Sequence, residues 1–407
     1  MYTSKQQRGN RRLAYFWLVV AILIIYCAWT LLRSMPAMQP LSRFSALQAK
    51  APASTLQWPA QGQAAVGVAG TSILDMHGAE TPVPTASTAK LITALTVLAA
   101  KPLQPGQQGP TITLTPNDVA IYNNYVAQDG SLVQVQAGEQ ISEYQMLQTM
   151  MLPSANNMAD SLAIWAFGSL QTYQQAANQY LEDQGLVTSH VGSDASGLSP
   201  TTTSTAHDMV QIGELVMQNP VLSQIVGQPT AAGIPVVGTI KNVNSLLGTD
   251  GIIGIKTGNS DQAGGAFVSA SKTTANGKPV TIITAVMDAP GLWQAMQESL
   301  PLIQSAQANF KPTTVITAGK PVASYKSEWG KTITASAQKS LAMQAWGGST
   351  ISAKAKLNPI KPNAEAGQTV GMVTVPKSTF NDQLSATVSL RSAPSKPSVL
   401  WRLTHPF

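Results

Sequence analysis

The sequence holds a single cysteine, Cys27, so no disulfide can form within the chain and no cysteine-based metal site is possible. Histidine is nearly as scarce. His77, His190, His207 and His405 form no H-x-x-x-H or similar ligand pair, so no zinc site is predicted. Charge is scarce too: only 11% of residues are Asp, Glu, Lys or Arg, against the usual quarter. Basic residues lead by 25 to 19, but they are scattered, with no Lys/Arg-rich stripe and interleaved aromatics. Nucleic acid is therefore a poor partner. A net charge of +6 suits an anionic polymer such as a cell wall, and it serves solubility equally well. Internal repeats and low-complexity tracts are absent as well. Low charge does not mean disorder here. The hydrophobic content of 44% is enough for sizeable cores, and 407 residues leave room for two domains plus accessories.

What the chain does have is one long apolar run, LAYFWLVVAILIIYCAWTLL, from Leu13 to Leu32. About twenty helical residues cross the roughly 30 Å core of a bilayer. Lys5, Arg8, Arg11 and Arg12 precede the run, while only Arg33 stands close behind it. The positive-inside rule then predicts a cytoplasmic tail over 1–12, a membrane anchor over 13–32 and an extracytoplasmic remainder. A cleaved signal peptide fits less well. The run is long, and the nearest candidate cleavage site, Met35-Pro36-Ala37, has a bulky Met where a small residue is needed. Cys27 lies inside the run and reads as a small apolar side chain. Residues 33–58, rich in Ala, Pro, Gln and Ser, read as a linker.

Beyond residue 58 the pattern alternates strand-like and helix-like runs. Ala64–Gly70 and Ser72–Met76 form a predicted hairpin, and Thr111–Thr115 a strand. Ile141–Leu152, Met158–Phe167, 171–184 and Ala206–Met217 are predicted helices, with Gly185 as a C-cap. Gly251–Lys256, Ala266–Lys272 and Pro279–Asp288 are β-rich runs joined by short turns, which makes neighbours antiparallel. With the hairpin they predict a five-stranded antiparallel sheet, packed by helices including Leu292–Asn309. From Lys311 the texture changes to short alternating runs broken by Gly and Pro. The expected fold is therefore α+β over 59–310, then a small all-β domain over 311–407.

Chemistry concentrates in three short motifs. Ser87-Thr88-Ala89-Lys90 places a serine and a lysine on one face at the start of a predicted helix. A serine hydroxyl needs a base to take its proton, and a lysine can serve only with a lowered pKa. Alone the pattern is weak, for Ser269…Lys272 and Ser336…Lys339 match it too. Ser87 differs in its company. Ser154-Ala155-Asn156 is the chain's one S-x-N and Lys256-Thr257-Gly258 its one K-T-G, the latter at the end of a predicted strand. A K-T-G arises by chance less than about once in ten chains of this length. The plain alternatives are helix caps for the two serine motifs. Asp194-Ala-Ser-Gly reads as a turn.

The ordered triplet resembles that of the penicillin-binding proteins and related β-lactamases. Flanking stretches extend the likeness: Pro84-Thr-Ala-Ser-Thr-Ala-Lys-Leu-Ile-Thr-Ala-Leu, Asp194-Ala-Ser-Gly-Leu, Thr205-Ala-His-Asp-Met, Asn242-Val-Asn-Ser-Leu-Leu and Gly254-Ile-Lys-Thr-Gly-Asn-Ser-Asp-Gln-Ala-Gly. They are similar to the low-molecular-mass members, the serine-type D-alanyl-D-alanine carboxypeptidases that trim peptidoglycan stem peptides. Gly367-Gln-Thr-Val-Gly-Met-Val-Thr-Val resembles part of that family's C-terminal β domain.

The resemblance implies roles. Ser87 is the nucleophile that carries the acyl group, and Lys90 is the base that takes its proton. Ser154 relays a proton to the leaving amine, and Asn156 orients Lys90 and the peptide amide. Lys256 and Thr257 grip the substrate carboxylate, with Lys256 staying charged and helping to keep Lys90 neutral. Gly258 leaves the cleft open, and the backbone N–H groups of Ser87 and Asn259 hold the oxyanion. No cofactor is implied. The implied partners are a stem peptide, β-lactams as covalent inhibitors, and the membrane.

Two departures stand out. Asn157 follows the S-x-N where many members have Asp, and the chain stops at Pro406-Phe407 without a terminal amphipathic helix. Rival readings are a DD-endopeptidase, a β-lactamase, or a wall sensor that is acylated without turnover. A β-lactamase of the class A kind would need an E-x-x-L-N segment, and none lies between Ser154 and Lys256.

Overall fold

The computed structural model of the chain describes residues 3–41 and 47–405; Met1, Tyr2, Pro406, Phe407 and the middle of the predicted linker lie outside the described residues. Helix α1 (Thr3–Leu32) opens the chain. Its stretch Asn10–Leu32 has a mean hydropathy of 2.3, and only 6% of that window is buried. Apolar side chains such as Trp17, Ile24 and Ile25 have no protein to cover them, which is the condition of a helix whose solvent is lipid. The rest of the chain divides by contact into two units, Ala53–Lys311 and a second made of residues up to Pro52 together with Pro312–Phe407.

The first unit is built on five antiparallel strands: β1 (Gln63–Val68), β2 (Leu74–His77), β3 (Ile252–Ser260), β4 (Gly264–Ala275) and β5 (Lys278–Ala289). Their order is β3-β4-β5-β1-β2. Two tight turns join β3, β4 and β5, and β1 pairs with β5 to bring the two ends of the unit's sequence together. The five-stranded sheet read from the sequence is thus present. Strand alternation sorts the side chains. Ile283, Ala285 and Met287 join the large helical core, while Ile282 and Val286 point the other way, to the face on which helix 292–307 packs.

Helices α2 (Lys90–Ala100), α3 (Pro116–Val126), α4 (Glu143–Met151), α5 (Asn156–Phe167), α6 (Leu170–Asp183), α7 (Ala206–Gln218), α8 (Pro220–Val226) and α9 (Leu292–Gln307) complete the unit. α2 is its centre. The sequence predicts one apolar face, but every residue from Lys90 to Leu98 is buried, because α5, α6 and α7 all pack around it. Its Leu91 and Ile92 are fully buried, each worth about 1.5–3 kcal/mol. A helix held on all sides is a rigid mount for whatever stands at its first turn. α3, α8 and the hairpin 230–241 have no counterpart among the predicted elements. α3 carried a signal, since Thr115 and Asp118 form a capping box around Pro116.

The second unit has a six-stranded sheet in the order 40–41, 321–326, 332–337, 384–390, 369–375, 354–357. Tyr325, Val373 and Val388 are central in its core. Here the linker reading needs correction. Pro40–Leu41 pairs with the strand at Tyr325, Gln48–Lys50 pairs with Thr350–Ser352, and Met38 is buried in the same core. These pieces are two or three residues long, too short to show a period of two. A short helix, α10 (Val399–Thr404), follows the last strand, and Tyr26 of α1 donates to the carbonyl of Leu403 at 2.7 Å.

Candidate active site

The chain enters α2 through a 3₁₀ turn, Ala86–Ala89. Thr85 anchors that turn, its carbonyl accepting from both the amide and the hydroxyl of Thr88. In a 3₁₀ turn residues i and i+3 eclipse each other, so Ser87 and Lys90 meet directly. The Lys90 Nζ lies 2.7 Å from the Ser87 Oγ. The other two S-x-x-K serines have no such geometry. Ser269 and Lys272 both lie in β4, where i and i+3 point to opposite faces, and Ser336 lies in the strand 332–337, which ends before Lys339.

Ser154 and Asn156 come from the link between α4 and α5. Ser154 has φ of 65°, a left-handed conformation that costs a non-glycine residue about 1–3 kcal/mol and clusters at functional sites. Neither residue acts as a cap: the N-cap of α5 is Ala155, without a side-chain bond. Asn156 instead turns its Oδ1 to Lys90 at 2.7 Å, and Ser154 Oγ accepts from Lys256 Nζ at 2.8 Å.

Lys256, Thr257 and Gly258 lie in β3, which runs on to Ser260 rather than ending at Lys256 as the sequence predicts. The register pairs Thr257 with Phe267 and Asn259 with Gly265, so the K-T-G motif is held in a paired strand, not a loop. A Cβ on Gly258 would stand 3.1 Å from the Thr85 carbonyl and 3.2 Å from the Ser87 amide nitrogen. Glycine here lets the sheet edge close onto the nucleophile turn, bringing the backbones at 87 and 258–259 side by side. The Asn259 side chain turns away and accepts from the Leu292 amide at 3.1 Å.

Lys90 Nζ has three hydrogen-bond neighbours, which suit an ammonium that donates to all three or a neutral amine that accepts from the Ser87 hydroxyl. Asn156 Oδ1 and the Ser196 carbonyl, at 2.7 and 3.0 Å, can only accept. They occupy two N–H groups of a neutral amine. Its lone pair is then left for the third neighbour, the Ser87 hydroxyl. Burial lowers the Lys90 pKa to about 7, against an opposing pull from Asp194 and then Asp160. Lys256 is as deeply buried, and among the described residues it bonds the Ser154 hydroxyl and the Thr257 carbonyl. Burial, and then the charge of Lys90, push its pKa well below the ordinary lysine value. The expectation that Lys90 alone is depressed therefore needs correction, since burial lowers both lysines. Asp194 and then Asp160 favour a proton on Lys90, and no carboxylate is among the causes acting on Lys256.

Two contributors, Asp160 and Tyr125, escaped the sequence reading, and a third segment does more than was read from it. Asp160 lies four residues after Asn156, on the same face of α5, and its burial raises its carboxyl to about 6. Tyr125 donates to Asp160 Oδ2 at 2.7 Å. Asp194-Ala195-Ser196 is more than a turn, since the Ser196 carbonyl holds Lys90. The departure at Asn157 now has a physical reason as well. Its side chain accepts from Val133 N at 3.1 Å and donates to Val133 O at 2.9 Å, in full burial. An amide can do both, and an ionised carboxylate cannot. A cavity of about 800 Å³ opens beside Asn259, lined also by Tyr125, Asp160 and Asp194.

A paired serine and lysine, a second serine–lysine pair and a sheet edge against the nucleophile turn are the parts of an acyl-transfer site. A sequence model of the D-alanyl-D-alanine carboxypeptidase family, peptidase family S11, matches residues 48–291. The chain belongs to this family. The D-alanyl-D-alanine carboxypeptidase DacA of Haemophilus influenzae is 28% identical over 250 residues, which cover 60% of this chain and 61% of that protein. The D-alanyl-D-alanine endopeptidase of Escherichia coli is 26% identical over 258 residues, covering 61% of this chain and 78% of that one. The chain thus spans about three fifths of the first of these curated relatives. Among solved structures, penicillin binding protein 5 from Haemophilus influenzae superposes with a TM-score of 0.58 at 20% identity, over 83% of this chain and 98% of that one. The Streptomyces K15 DD-transpeptidase gives 0.54 at 24%, over 62% and 98%. At these identities the structures speak for the fold.

Proposed function

We propose that this peptidase-family member is a serine-type D-alanyl-D-alanine carboxypeptidase that removes the terminal D-alanine of peptidoglycan stem peptides. The observation that carries the reading is the Lys90 amine, buried among two obligate acceptors with its third neighbour the Ser87 hydroxyl at 2.7 Å. Lys90 takes the Ser87 proton as Oγ bonds to the carbonyl carbon of the penultimate residue. Negative charge on that carbonyl oxygen is met by the backbone N–H groups of Ser87 and Asn259; one such donor is typically worth about 10²–10³ in rate. The C–N bond then breaks, and the leaving amine receives a proton through Ser154, which is bonded to Lys256. Water hydrolyses the ester and returns Ser87.

Lys256 and Thr257 receive the substrate's terminal carboxylate. An arriving anion offsets the cost of a buried ammonium, so the substrate's carboxylate stabilises a charged Lys256. β-Lactams carry a carboxylate and a strained amide in the same relation, and they acylate Ser87 as inhibitors. The apolar run 13–32 of α1 anchors the protein in the membrane, with the basic residues ahead of that run cytoplasmic and the catalytic unit outside.

Mass spectrometry after brief exposure to penicillin, followed by a D-alanine release assay on a pentapeptide, tests the reading. Expected are one penicilloyl adduct on the Ser87 peptide and stoichiometric release of D-alanine. Labelling without release would leave a sensor, and cleavage of cross-linked dimers in preference to pentapeptide would make it an endopeptidase. A chain beginning at residue 34 is expected to leave the membrane fraction and still take label. Its retention in membranes would remove α1 as the sole anchor.

A further inference from the structure

We infer, on the reading that Lys90 is the base, that Asp160 and Tyr125 are positioning residues for it: they brace the turn that seats its amine, and the Asp160 charge sets how acid the medium can become before that amine is blocked by a proton.

The bracing is continuous. The Tyr125 hydroxyl, from the end of α3, donates to Asp160 Oδ2 at 2.7 Å and lies 3.2 Å from Ser196 Oγ. Asp160 Oδ1 accepts from the Ala195 amide at 2.9 Å. The Ala195 carbonyl accepts from Thr93 Oγ1 at 2.7 Å, and that hydroxyl also meets Tyr173. Ser196 Oγ donates to Asp194 Oδ2 at 2.5 Å. Residue 195 is thus pinned at both its N–H and its C=O, by α5 and α2. The next carbonyl, that of Ser196, is thereby aimed at Lys90 Nζ.

Bracing alone does not need a charge. An asparagine at 160 could accept from Ala195 and donate to the tyrosine oxygen. Burying a carboxylate costs several kcal/mol, so a carboxylate here answers to something besides hydrogen bonding. Its charge acts on Lys90, whose amine is seated by the turn that Asp160 braces. Asp160 on α5 and Asp194 on the turn both favour a proton on that amine, and Asp194 Oδ1 is buried without a partner among the described residues. The remaining titratable groups around Lys90 are Tyr125 on α3, Tyr173 on α6 and Lys256 on β3. Glu143 of α4 faces Lys101, at the far end of α2. On α7, Asp208 is taken up by His207 and Ser189.

The sign follows. The active amine is neutral, and a negative neighbour holds its proton on. Removing the charge of Asp160 therefore lets Lys90 become neutral at lower pH. Asp160→Asn separates charge from bracing, Asp160→Ala removes both, and Tyr125→Phe leaves Asp160 Oδ2 without its donor, so that carboxylate protonates more readily.

The test reads Lys90 directly, by NMR titration of ε-¹³C-lysine in the full-length protein, with the signal assigned through Lys90→Arg. Acylation by a chromogenic β-lactam across pH is followed in parallel. Asp160→Asn is expected to lower the Lys90 midpoint and the acid limb of acylation together, by about half to one pH unit. Tyr125→Phe should move both the same way by less. Asp160→Ala should lower the maximum acylation rate about tenfold, more than Asp160→Asn does. A Lys90 midpoint that stays in place or rises in both Asp160→Asn and Tyr125→Phe overturns the inference. The two readings fail separately. A parent protein that takes no β-lactam on Ser87 defeats the proposed activity, while the Lys90 titration still decides this point.

Discussion

The two walls of the cleft hold the same side chain in opposite surroundings. On the helical wall, Lys90 is fully buried at the start of α2, with two carboxylates in its field and three hydrogen-bond partners. On the sheet wall, Lys256 is fully buried in β3, with a hydroxyl and a backbone carbonyl for partners and no carboxylate among the causes that set its proton affinity. Burial is therefore not what distinguishes them, since it depresses both. The counter-charges do. Lys90 is poised near neutrality, able to take and give back a proton. Lys256 is starved of anions until a ligand brings one. A residue type and a burial class do not define a role; the charges supplied around them do.

The comparison makes Ser87 wholly dependent on the helical wall, and its removal has the largest effect. Ser87→Ala should abolish covalent penicillin labelling and D-alanine release, with the circular dichroism spectrum unchanged. Adduct surviving on the intact chain would move the nucleophile elsewhere.

Exchanging each lysine for arginine sharpens the contrast. Arginine keeps a charge but cannot act as a base at ordinary pH. Lys90→Arg should lose acylation by about 10²–10⁴, the usual worth of a positioned base. Lys256→Arg should retain more of it, with the larger share of the loss in KM for a carboxylate-bearing substrate. In the parent, acylation should fall below about pH 7, where Lys90 takes up its proton. Chromogenic β-lactam kinetics across pH read all three, and equal losses in the two variants would erase the distinction between the walls.

A third effect concerns the backing of the helical wall rather than its chemistry. Asn157→Asp swaps a donor facing the Val133 carbonyl for a lone pair, in a fully buried place. Leaving such a carbonyl unpaired costs about 1–3 kcal/mol. The melting transition of the catalytic unit should drop accordingly, and more at neutral than at acid pH, because a protonated Asp regains a donor. An Asn157→Asp protein as stable as its parent would mean that the 131–135 segment is held by other contacts.

Much of the helical wall was legible because its chemistry is local. Ser87 and Lys90 are three residues apart, and any helical start brings them together. The order of the three motifs and the two-residue spacing in Ser154-Ala155-Asn156 were visible for the same reason. What stayed hidden is what tertiary packing supplies. Tyr125, Asp160 and Ala195 are 35 residues apart at each step, joined by hydrogen bonds between α3, α5 and a turn. No period in the sequence announces such a meeting, although Asp160 one turn from Asn156 could have been noticed. The proton affinity of Lys256 was misjudged for a related reason. Its own strand was readable, but the burial that depresses it is a property of the assembled walls. In the second unit the edge strands at 40–41 and 48–50 escaped because so few residues cannot display alternation.

The smallest predicted effect lies on the sheet wall, at the same motif in a different backbone. Ser269…Lys272 repeats the S-x-x-K spacing in β4. In a strand that spacing sends the two side chains to opposite faces. Ser269 is fully buried, and its Oγ lies 2.7 Å from Thr284 Oγ1 across the β4–β5 pair. It has a structural partner and no base. Ser269→Ala should therefore leave penicillin labelling and its pH profile intact, and cost about 1 kcal/mol or less through the lost hydroxyl pair. Ser269→Ala with Thr284→Val removes both hydroxyls while nearly keeping the shape, and should recover most of that cost, since no polar group is then left unpaired. Thermal melts of the single and double variants measure it. A loss of labelling in Ser269→Ala would mean that the spacing, and not the helical turn that carries it, makes the nucleophile, and the contrast between the two walls would fall with it.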